Sequence, residues 1–133
     1  MHRLTVFLMG SLAAVTLGTA FAAPDGPGEI STALTHARMA AAGTDLKTVD
    51  MHLHHVVNCL VGAKGTGYDA SAGDPCQGMG DGALHDTPDQ ALHVKLQTAL
   101  DEANRALADT NFDSAKKTAA SVVESLKTDV KPQ

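Results

Sequence analysis

The chain has 133 residues, with 10 Lys and Arg against 15 Asp and Glu and a formal net charge of −5. An acidic balance excludes a nucleic-acid binder built on a basic face, because phosphate contacts need Lys and Arg. Aromatic residues make up 3 % and Trp is absent, so the core must be Leu, Val and Ala, with few aromatic walls for a large organic ligand.

Residues 1–22 read as a signal peptide. Met1-His2-Arg3 is a short basic start, Leu4 to Ala20 is uncharged and mostly apolar, and Ala20-Phe21-Ala22 supplies the small residues before cleavage after Ala22. The apolar run is short for a membrane span and no basic stop-transfer cluster follows it. The expectation is a periplasmic or secreted protein with no membrane attachment after cleavage. Cleavage removes Arg3 alone among the charges and leaves nine basic against 15 acidic residues, near −6. The remaining chain, about 110 residues, is one domain with a single core.

Residues 23–28, with Pro24, Gly26, Pro27 and Gly28, read as a flexible lead. The first helix is expected over about Glu29–Ala42, with Ile30, Leu34, Ala37 and Ala41 as its apolar stripe. Gly43 stands where a left-handed C-cap belongs. The second helix begins near Thr44-Asp45, carries the stripe Leu46, Val49, Leu53, Val56 and Leu60, and stops at Gly62. Residues 63–86 lack helical period and are rich in glycine; a loop of that length is either functional or disordered. In an exported chain, Cys59 and Cys76 most simply form a disulfide that orders this loop; the alternative is two thiolates acting as soft metal ligands.

Thr87-Pro88-Asp89-Gln90 reads as a capping box with Pro at the first helical position. It opens a third helix with the stripe Leu92, Leu96, Leu100, Ala103 and Leu107, ending near Asp109-Thr110. A fourth runs from about Phe112 to Asp129, with Ala115, Ala119, Val122, Leu126 and Val130 inward. The expected fold is all-α: a four-helix bundle of two αα-hairpins (residues 29–62 and 87–130) joined by the glycine-rich, disulfide-closed loop.

Residues 35–60 laid on residues 101–126 without gaps show a repeated hairpin. Ala37 meets Ala103, Val56 meets Val122, Val57 meets Val123 and Leu60 meets Leu126. His36, however, falls on Glu102, His52 on Thr118, His55 on Ser121 and Cys59 on Ser125. The same fold pattern is written twice, once with ordinary polar residues, so packing does not require the histidines.

On the second helix His52 and Cys59 lie about 90–110° from the centre of the apolar stripe, with His55 further round the same flank and His54 nearly opposite the core. His36 and His52 are each eight residues from Thr44 and come to the same height in an antiparallel hairpin. His93 lies beside the Leu96–Leu100 stripe. A metal site from His36, His52 and His55, joined by His93 from the other hairpin, follows; imidazole suits copper, nickel and zinc. Met39, Met51 and Met79 read as gap-fillers or exposed residues, and His85 carries no assignment. No Cys-x-x-Cys-His, His-Glu-x-x-His or nucleophile-elbow pattern occurs, and adjacent Asp101 and Glu102 point to different faces, so no catalytic assignment follows.

The Ala-rich helical layout, with His36-Ala37, Met39-Ala40-Ala41, the His52–His55 group and the run Ala103 to Val123, resembles the small periplasmic His-rich metal-binding proteins of bacteria. The resemblance implies a four-helix bundle that takes up divalent metals. Those proteins carry more histidines in regular repeats and lack a glycine-rich insert closed by a disulfide, which favours one defined site here. The expected function is metal binding for sequestration or delivery. Two alternatives stand beside it: a structural module whose loop docks a protein partner, and non-covalent haem held by His and Met.

Overall fold

A computed structural model describes residues 24–127. The expected signal peptide (residues 1–22), Asp129, Val130 and the tail lie outside the described residues. The described chain is all-helical: α1 (Gly26–Ala42), α2 (Leu46–Val61), α3 (Ala83–Asp86), α4 (Gln90–Leu107) and α5 (Phe112–Leu126).

Each long helix begins on a short polar side chain that accepts from a backbone N–H three residues on. Asp25 accepts from Gly28 at 3.0 Å, Asp45 from Thr48 at 2.8 Å, Asp89 from Leu92 at 2.7 Å and Asn111 from Ser114 at 3.0 Å. Each satisfies a donor that the helix start leaves orphaned, worth about 1 kcal/mol. Two starts differ from expectation. α1 begins at Gly26, because Pro27 sits in its first turn, where no N–H is needed and φ is already set. In α4 the cap is Asp89 and not Thr87, so Pro88 precedes the helix.

α1 and α2 pack side by side, as do α4 and α5. α1 also contacts α5 and α2 contacts α4, and the buried side chains of these four helices belong to one core cluster. Leu53, Leu60, Leu96 and Leu126 are its largest fully buried apolar side chains, each worth roughly 1.5–3 kcal/mol of burial. The face that α1 turns inward is Ile30, Ala33, Ala37 and Ala40, with Leu34 and Ala41 only half-buried. The inward face is thus rotated towards the smaller side chains, which let the backbone approach α2 and α5 closely. Gly43 is not left-handed (φ −53°, ψ 147°). A Cβ there would come within 2.8 Å of Val49 Cγ2, so tight packing, not handedness, calls for glycine.

Residues 63–82 form a chain of turns laid over the ends of α1 and α2, and α3 continues them. Gly62 leaves α2 at φ 67°, where a Cβ would also collide with the Asp81 carbonyl. Asp25 N–H donates to Met79 O at 2.9 Å and Gly82 N–H to Glu29 Oε1 at 3.0 Å, tying the loop to the start of α1. Cys59 and Cys76 stand at disulfide distance, with Cα atoms 5.2 Å apart.

Candidate metal centre

His36 lies midway along α1, and His52 and His55 on the flank of α2 that faces it. All three are half-buried. His36 Nδ1 is 3.2 Å from His52 Nδ1 and 3.2 Å from His55 Nδ1. The three rings can each offer one nitrogen, all within 4.8 Å of one another, and this group can hold a metal ion. His55 packs edge-on against His36, with centroids 4.6 Å apart and planes at 80°.

The remaining nitrogen of His55 is also engaged. His55 Nε2 is 2.7 Å from Ala72 O, and a carbonyl only accepts, so the proton sits on Nε2. His55 Nδ1 is then a bare lone pair aimed at His36. His36 Nδ1 cannot serve both of its neighbours: a protonated ring nitrogen has no in-plane lone pair, and an unprotonated one has a single lone pair. One of the two 3.2 Å contacts is therefore left without a well-directed proton, whichever tautomer His36 and His52 adopt. A cation at the centre would satisfy all three nitrogens.

The spacing of His36 Nδ1 from each of the other two nitrogens suits such an ion. With Zn–N bonds of 2.0–2.1 Å, tetrahedral geometry puts ligand nitrogens about 3.3 Å apart. The backbone carbonyl behind His55 is the partner that metal-ligating histidines usually have on the ring nitrogen away from the ion. Burial, reinforced by the neighbouring imidazoles His55 and His52, lowers the pKa of His36; burial and then His55 lower that of His52. Both effects keep lone pairs free.

His93 is not part of this group. It lines a cleft of about 560 Å3 with Val61, Lys64, Leu84, His85 and Leu100. The reason is height: His93 lies in the first turn of α4, which packs beside the end of α2, and Val61 is about 13 Å along the helix axis from His52. His85 pairs with Asp86 at 2.8 Å, and that hydrogen bond raises its pKa. His54 faces Asp69 at 3.5 Å on the loop. Met39 and Met51 are exposed. Cys59, Asp74 and Cys76 form a second close group, but the two sulfurs stand at disulfide distance, and a disulfide offers no thiolate.

Two contributors carry no mark in the sequence. Ala72 acts through its backbone carbonyl. Asn58, fully buried on α2, holds the loop through three hydrogen bonds. Asp50, one turn before His54 and outside the histidine group, has an Oδ1 without a partner among the described residues, and burial raises its pKa.

No family model, curated protein or solved structure matches the chain.

Proposed function

We propose that this is an exported, non-catalytic protein that binds one transition-metal ion, zinc, copper or nickel, through His36, His52 and His55, for sequestration or delivery. Its fold is read as a four-helix bundle of two hairpins stapled by a Cys59–Cys76 disulfide, in the manner of periplasmic metal-binding bundles. The signal-like residues 1–22 support a periplasmic or secreted location. The observation that carries the reading is the convergence of three ring nitrogens within 4.8 Å of one another, with His36 Nδ1 3.2 Å from each of the other two, close to the edge of a tetrahedral site and without enough protons to satisfy one another. Three protein ligands leave one coordination position for water or an acceptor's ligand, which suits an ion that must be handed on.

Calorimetric titration with Zn(II), Cu(II) and Ni(II) tests it. The expected result is one equivalent bound, with His52→Ala abolishing the signal while helicity is retained. Affinity no tighter than about 0.1 mM for every metal, or unchanged binding by the His52→Ala protein, would sink the reading.

A further inference from the structure

The loop does more than cover the helix ends. Three inward-facing positions of α2, residues 55, 58 and 59, each grip it. Asn58 Nδ2 donates to Asp69 O at 2.8 Å and to Gly73 O at 2.7 Å, and Asn58 Oδ1 accepts from Asp69 N–H at 2.8 Å. Those anchor points bracket Ala72, whose carbonyl meets His55 Nε2 at 2.7 Å. Cys76, three residues after Gly73, is held against Cys59 and buried. Asp69 closes its own turn by accepting from Ser71 N–H at 2.8 Å. The carbonyl is therefore set in place from both sides, and by α2 itself.

We propose that Asn58 is a positioning residue for the metal centre: by fixing the Asp69–Gly73 segment it aims the Ala72 carbonyl at His55 Nε2, which places the His55 proton there and makes Nδ1 the metal-binding nitrogen. The inference rests on the three histidines being a metal site, and adds which atom of His55 binds and what selects it. Asn58 is fully buried and, among the described residues, its side-chain bonds go to the loop and none to a neighbouring helix side chain. Helix packing alone would be served as well by an aliphatic residue. A side chain that fixes a ligand from one shell out typically carries a roughly 10–100-fold share of metal affinity.

The test uses 15N-labelled protein and zinc. In the metal-free wild type, the ring 15N shifts of His55 should report the Nε2–H tautomer, and zinc should move Nδ1. Asn58→Ala should shift His55 towards a tautomer mixture and weaken zinc binding about 10–100-fold, with unchanged helicity. Cys59→Ser with Cys76→Ser, which frees the far end of the loop without leaving a thiolate, should move both readouts the same way and decides the matter if Asn58→Ala does not fold. A His55 ring protonated at Nδ1 in the wild type overturns the proposal, as do unchanged tautomer and affinity in the folded variants. A wild type that binds no zinc, but whose His55 tautomer responds to Asn58→Ala, sinks the metal reading while the positioning of His55 stands.

Discussion

Glu29 offers the sharpest quantitative test of how the loop is held. It is 1 % exposed, in the first turn of α1. Oε1 accepts from Gly82 N–H at 3.0 Å, and Oε2 has no hydrogen-bond partner among the described residues. Loss of solvent raises its pKa from 4.5 to about 7; Asp86, Asp25 and Asp74 push the same way, and the Gly82 hydrogen bond opposes them. Between those pH values the folded protein keeps a proton that the unfolded chain has released. Stability from this group is thus full below pH 4.5 and is lost as pH rises towards 7. Each tenfold gain in proton affinity on folding is worth about 1.4 kcal/mol, so the loss is on the order of 3 kcal/mol. Glu29→Gln keeps the acceptor for Gly82 and cannot ionise. Urea unfolding of both proteins across this range should show Glu29→Gln gaining on the wild type by about 3 kcal/mol, with most of the gain complete by about pH 8. The buried amide adds a constant offset, so the shape of the difference carries the test. Parallel profiles would refute the reasoning.

The histidines have the opposite sign. Because burial lowers the pKa values of His36 and His52 below 6.5, the metal-free protein should lose stability as pH falls below 6.5, where the unfolded chain takes up protons first. The same lowered proton affinity should preserve zinc binding at slightly acid pH, with metal affinity then dropping as the imidazoles protonate; calorimetry at a series of pH values checks this. Replacing Cys59 and Cys76 by Ser opens a loop of 17 residues and should lower unfolding stability by about 3 kcal/mol, read as an earlier urea midpoint.

Much of the helical frame is legible in the sequence, because apolar period and helix starts are local signals. Asp45, Asp89 and Asn111 each precede an amphipathic run. The start of α1 is harder to read: Pro and Gly around Asp25 suggest a flexible lead, and only the cap hydrogen bond to Gly28 shows a helix beginning there. Pairing of His36 with His52 follows from their equal distance from Thr44. The position of His93 does not follow, because the height of α4 against α2 is set by the loop and α3, which have no period to count. The order within the loop is equally hidden. It depends on Asn58 and Glu29, two polar residues whose partners lie 11 and 53 positions away.

The repeated hairpin separates what folds the protein from what the first hairpin adds. At the positions matching His36 and Cys59, the second hairpin holds Glu102 and Ser125, and Ser125 Oγ donates to Glu102 Oε2 at 2.8 Å across α4 and α5. At the position matching His52, Thr118 bonds back to Ser114 O at 3.1 Å within its own helix. Each of these three polar groups finds a partner in the chain, and Ser121, matching His55, is exposed to solvent, as expected where packing is the only demand. The first hairpin gives up that self-sufficiency. It gathers three imidazoles whose two close contacts cannot both hold a well-directed proton, and devotes Asn58 and the loop to aiming one of them. A hairpin built only for stability would take the Glu–Ser solution twice. Convergence of unsatisfied lone pairs is sensible only if something electropositive and small enough to sit between them completes the set.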